Sequence, residues 1–115
     1  MAKWSRRNNC YSYAVDYSNR WLLINNSYDE SINEILHRNP NLRLVLKQDL
    51  VLGKEYVAYR YGRNDFHFMK RGKDGHWRHK MGNQPVEAIS TKVVFDKVWD
   101  FNNLYNSKLY LFEVQ

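Results

Sequence analysis

Apolar residues recur at helical spacing in the first third of this chain and alternate at strand spacing through much of the rest. Cys10, Tyr13, Ala14 and Tyr17 fall at i, i+3, i+4 and i+7, one face of a short helix. Asn9 precedes them as a natural N-cap, because its side-chain oxygen can accept from the first free amides. The run W-L-L-I (21–24) fits either an extension of that helix or a buried strand. Ser27 and Glu30 have the spacing of a capping box, and Ile32, Ile35 and Leu36 supply the stripe of a second helix that should stop before Pro40. After it, L-R-L-V-L (42–46) alternates like a strand or a linking segment, and E-Y-V-A-Y-R-Y (55–61) is a strong strand. Residues 62–65 read as a turn, 91–98 as strand or helix, 100–107 as a polar loop and 109–114 as a closing strand. Helices first and an antiparallel meander afterwards predict an α+β fold, with N-terminal helices packed on one face of an antiparallel sheet.

The densest stretch is D-F-H-F-M-K-R-G-K-D-G-H-W-R-H-K-M-G (65–82), which holds three of the four histidines. It reads as a hairpin with a three-residue loop, Lys73 and Asp74 in a type I turn and Gly75 in the left-handed position. That register puts Gly72 opposite His76, and it places His67, Met69, Trp77, His79 and Met81 on one face with His76 on the other. A two-residue turn would instead send His67 and His79 to opposite faces.

Composition narrows the class. At 115 residues the chain reads as a single domain over 1–115, with no internal repeat or linker. One cysteine excludes a disulfide framework and a Cys-rich zinc site. No apolar run approaches membrane-spanning length, and M-A-K-W-S-R-R-N-N lacks the apolar core of a signal peptide, so a reduced, cytoplasmic setting is expected. A net charge of +6 and a pI near 9.5 favour acidic partners, although the same charge also serves plain solubility.

Chemistry concentrates on Cys10. A lone cysteine is usually a small buried hydrophobe. Here it starts a helix, whose free N–H groups and partial positive charge should favour thiolate over thiol. His67 and His79 on one face of a nearby sheet would complete a thiol, imidazole and orienting-group constellation for nucleophilic catalysis. Other readings of the same residues remain open. The hairpin histidines are a zinc set if joined by Cys10 or Asp65. Arg71, Lys73, Arg78 and Lys80 beside Trp77 are a nucleic-acid surface or a solvated hairpin tip. A basic, Tyr-rich face also suits a non-catalytic protein that blocks a host factor, as a phage counter-defence inhibitor would. His37 near a helix C-terminus is most simply a capping or surface residue.

Asn9-Cys10-Tyr11-Ser12-Tyr13-Ala14, Phe66-His67-Phe68 and Asp74-Gly75-His76-Trp77-Arg78-His79-Lys80-Met81-Gly82 together resemble the papain-like superfamily. Within it the order is similar to compact peptidases and amidases of the NlpC/P60 and CHAP type. It is closer still to small bacterial and phage proteins sharing N-C-Y-x-Y-A and D-G-x-W-x-H-K-x-G. The likeness covers roughly residues 1–20 and 54–82; the Asp-Cys-Ser-Gly type signature of NlpC/P60 enzymes is absent, and 83–115 lies outside it. The resemblance implies a papain-like fold and a cysteine hydrolase acting on an amide or isopeptide bond of a protein or peptide, without metal or cofactor. It implies Cys10 as nucleophile, His67 as general base and His79 as orienting third member. Asn8 or Asn9, with the Cys10 backbone N–H, are candidate oxyanion donors. Trp77, Arg78, Lys80 and Tyr13 are candidate substrate or partner contacts. An inactive member retaining the fold is the alternative.

Overall fold

The computed structural model describes residues 7–17 and 20–115. The stretch tested above for a signal peptide falls largely in residues 1–6, outside the described residues. A six-stranded sheet, every pairing in it antiparallel, forms the frame. Its strands are β1 (Leu42–Val45), β2 (Tyr56–Tyr61), β3 (Phe66–Arg71), β4 (Trp77–Lys80), β5 (Val86–Ile89) and β8 (Tyr110–Val114). In space the order is β1-β8-β2-β3-β4-β5, so the expected meander is present and the closing strand inserts beside its start. The small pair β6 (Trp99–Asp100) and β7 (Leu104–Tyr105) stands apart. It lies within and beside the segment whose polarity predicts a loop.

Alternation along β2, β3 and β8 fills both faces of the sheet, because those strands are central and successive side chains point oppositely. On one face Val57, Tyr59, Phe66, Phe68 and Phe112 meet α1 (Cys10–Ala14) and α2 (Ser31–Arg38) through Tyr11, Ala14 and Ile35. Tyr11 stacks on Phe68 at 4.4 Å, and the Tyr11 hydroxyl accepts from Asn39 at the end of α2. Tyr59 donates to Ser31 Oγ at 2.9 Å and ties the other end of α2 to the sheet. On the opposite face Tyr56, Ala58, Met69, Trp77 and Leu111 pack under Val94, Trp99 and Tyr105. Both faces are therefore covered, the second by α3 (Thr91–Val94) and the β6–β7 pair, where the sequence predicts helices on one face only.

Local differences have local causes. Residues 21–24 are neither helix nor strand: α1 ends at Ala14, Asp16 takes a left-handed φ of 69°, and the Tyr17 N–H returns to Ser12 O. Ser27 makes no capping bond, since a single 3-10 turn (Tyr28–Glu30) precedes α2. The segment before α2 is held instead by Glu34, which accepts from the Asn25 and Asn26 N–H groups. Residues 91–94 resolve the 91–98 ambiguity as helix, capped by Ser90.

The turn 62–65 positions the later site. Gly62 N–H donates to Asp65 O, and a Cβ on Gly62 would meet Leu104 O at 1.9 Å. That contact is to backbone and cannot be relieved by a side-chain rotation. Gly62→Ala should therefore push β7 away from the turn after β2 and lower stability by about 2–3 kcal/mol, read as a drop in the urea midpoint.

Candidate active site

The hairpin fixes the histidines. β3 and β4 pair Met69 with His79, Lys70 with Arg78 and Arg71 with Trp77, the register of a three-residue loop. Gly75 has φ +84°, its N–H donates to Gly72 O, and Gly72 N–H donates to His76 O. His67 and His79 consequently share a face, and His67 Nε2 lies 2.9 Å from His79 Nδ1 in a buried hydrogen bond. His76 points the other way and is exposed.

The Cys10 thiol approaches from the helical side. The β3–β4 pairing ends at Met69 and His79. One residue further along β3, the Phe68 N–H meets the sulfur, joined by the Tyr11 and Cys10 N–H groups of the helix start. Asn9 anchors that start. Its side-chain oxygen accepts from Ser12 N–H and Leu22 N–H, and its Nδ2 donates to Leu22 O at 2.6 Å. The result is a cavity of about 390 Å³ whose wall includes Asn9, Cys10, Asp65, His67, Gly82 and Tyr105. Cys10 and His67 share this wall without a direct hydrogen bond among the described residues. Because Nε2 of His67 is committed to His79, Nδ1 is the ring nitrogen left for the cavity.

Burial dominates the electrostatics. Cys10 is 7% exposed, and desolvation pushes its pKa up to about 12, aided by the charge of Asp65 and opposed by the surrounding N–H groups. The expectation that the helix start makes Cys10 a ready thiolate is thus corrected: the resting group is a thiol, since a helix of five residues supplies a few amides against nearly complete loss of water. Burial likewise holds His67 down at about 3, with His79 adding to it. His79 is also lowered by burial, while Glu87, 3.9 Å from its Nε2, pulls the other way. Trp99, Phe101 and Tyr105 stand around the His67 ring at 5.9, 5.7 and 5.4 Å, and Phe101 also lies 5.3 Å from His79.

Several sequence expectations change here. Tyr13, Trp77 and Lys80 are 1%, 2% and 0% exposed, so they are core residues and do not face a partner; Arg78 alone of that group keeps solvent contact. Asn8 is fully buried, its Nδ2 donates to Tyr17 O, and it is absent from the cavity wall, whereas Asn9 is on it. The Tyr-rich surface is also corrected: Tyr11, Tyr13, Tyr56, Tyr59 and Tyr105 are buried, because central strands and α1 carry them inward. His37 closes the last turn of α2. No three His, Cys, Asp or Glu side chains converge as metal ligands among the described residues. Glu87, Trp99, Phe101 and Tyr105 enter the site unannounced by any motif, whereas the sequence offers Asp65 only as a metal partner of the hairpin histidines. No family model, curated protein sequence or solved structure matches the chain significantly. No helix among the described residues is long and apolar enough to cross a membrane.

The buried imidazole makes stability pH-dependent. An unfolded His67 takes a proton below its ordinary pKa of 6.5, while the folded one stays neutral down to about 3. Protons bind the unfolded state preferentially between those limits, so stability falls as pH is lowered through them, by about 1.4 kcal/mol per pH unit for one proton. In His67→Gln, which retains a donor toward His79, urea unfolding should show a pH slope flatter by roughly one proton in this window.

Proposed function

We propose that this α+β domain is a papain-like cysteine hydrolase that cleaves amide or isopeptide bonds with Cys10, His67 and His79. The observation that carries the reading is the buried His67–His79 hydrogen bond on the wall of the cavity that also holds the Cys10 thiol.

Proton positions follow from the neighbours. The Glu87 carboxylate near His79 Nε2 favours the proton on that nitrogen. His79 Nδ1 then offers a lone pair to the His67 Nε2–H, and His67 Nδ1 is left unprotonated toward the cavity. Cys10 and His67 rest neutral, so proton transfer accompanies attack. Sγ–H gives its proton to Nδ1 as sulfur bonds to the carbonyl carbon. The imidazolium, steadied through His79, passes the proton to the leaving nitrogen as the C–N bond breaks. Water adds to the thioester, with Nδ1 taking its proton and returning it to sulfur as the acid departs. The helix-start N–H groups and the Asn9 amide, on the cavity side of Cys10, are the candidate stabilisers of the carbonyl oxyanion. The Trp99, Phe101 and Tyr105 rings keep water from the imidazole pair and hold its orientation.

Acylation tests this directly. Incubated with p-nitrophenyl acetate near neutral pH, the protein should release nitrophenolate and carry one acetyl group mapped by mass spectrometry to Cys10. His67→Ala should slow acetylation by about 10²- to 10³-fold, the range of a lost general base, and His79→Ala should slow it less. An unmodified Cys10, or a His67→Ala variant acylating at the parent rate, would sink the assignment.

A further inference from the structure

Two of the described lysines are completely buried, and they are treated differently. Lys70 on β3 is 2.6 Å from Asp16 and 3.3 Å from Glu55, so its charge has carboxylate partners. Lys80, the last residue of β4, is held only by carbonyl oxygens: its Nζ donates to Asn8 O at 2.5 Å and to Gly82 O. Among the described residues no carboxylate pairs with it. A buried ammonium is strongly disfavoured unless it is hydrogen-bonded and paired, and Cys10 is the acidic group whose charge acts on this one. Asn8 lies two residues before Cys10, α1 packs on β4, and Gly82 lines the cavity beside Cys10.

We propose that Lys80 is a positioning residue that serves as the buried counter-cation of the Cys10 thiolate, supplying the charge that the short helix cannot. Its two carbonyl bonds aim the ammonium. One grips the segment leading into α1 and the other the turn after β4, so the cation is set between the two segments that bring Cys10 to the cavity. Burial lowers the Lys80 pKa and the charge of Cys10 raises it. The other titratable groups near the sulfur are Asp65 from the β2–β3 turn, Tyr105 from β7, and His67 from β3, which shares its wall. Asp65 acts on the sulfur as an anion, while burial keeps Tyr105 and His67 neutral, which leaves Lys80 as the cation of that group. The inference rests on Cys10 as the reactive thiol of the proposed hydrolase, and its readout requires no hydrolysis.

The rate of Cys10 alkylation by iodoacetamide, followed from roughly pH 7 to pH 9, tracks the thiolate fraction. Lys80→Met should slow alkylation about ten-fold across that range, equivalent to one unit in the thiol pKa, and Lys80→Arg should restore most of it. A folded Lys80→Met variant that alkylates as fast as the parent, with only its melting temperature lowered, overturns the proposal and leaves Lys80 as a carbonyl clamp. Should Lys80→Met fail to fold, carbon-13-labelled lysine in the parent decides the matter. The Lys80 Cε titration should be shifted to lower pH in Cys10→Ala, where the anion that raises the lysine pKa is lost. A Cε signal indifferent to Cys10 equally overturns the pairing. If Cys10 refuses acetylation yet Lys80 governs its alkylation, the hydrolase reading falls and the Lys80–thiolate pair stands.

Discussion

The 2.9 Å contact between His67 and His79 is the constraint on which the site depends. It exists because Gly75 supplies a left-handed residue at the hairpin tip, which sets Met69 opposite His79 and brings both imidazoles to one face. A slip of one residue would send one ring into the Phe66–Phe68 layer and the other into the Met69–Trp77 layer. The two rings would then sit on opposite sides of the sheet and the relay would vanish. Turn chemistry at the tip therefore governs chemistry four to eight residues away from it on either strand.

That relay is enclosed by residues from the last third of the chain. Trp99 and Tyr105 come from the β6–β7 pair and Phe101 from the turn between them. The pair is itself held down by polar contacts. Tyr105 donates to Asp65 at 2.9 Å, Trp99 Nε1 donates to Val94 O, and the Arg60 guanidinium lies 5.3 Å from the Trp99 ring while donating to Asp96 O. The same enclosure that orients the imidazoles strips them and Cys10 of water, which is why thiol and ring both rest neutral. Orientation and activation pull against each other here. A neutral resting pair avoids the desolvation penalty of a buried ion pair, and in the proposed hydrolase it lets charge appear only as the substrate reacts.

Much of the framework was legible because it follows from local rules. The Asn9 cap, the stop before Pro40, the 55–61 strand and the hairpin register each arise from side chains acting on adjacent backbone, and the structure places them as read. The misses arise where distant packing overrides local pattern. Trp21 and Leu23 look like core residues but flank Leu22, whose backbone is pinned by Asn9, and they remain 51% and 56% exposed. Tyr56 and Tyr59 look like surface residues and are core, because β2 lies in mid-sheet with layers on both sides. Residues 100–107 are polar enough for a loop, yet the short β6–β7 pair uses its few aromatic positions to cap the histidines.

By itself, then, the sequence determined that this is an α+β chain with an antiparallel meander, a cysteine at a helix start and two histidines on one face of a hairpin. Those features depend on period, turn type and capping, which act over a few residues. Only the tertiary structure decided that Cys10 and His67 share a cavity, and that among the described residues Lys80 is buried against carbonyl oxygens with no carboxylate partner. It alone decided, too, that Cys10 is a thiol and not a thiolate at rest. Each of these depends on how far water is excluded by residues remote in the chain, and desolvation is a property of the packed assembly that no local pattern encodes.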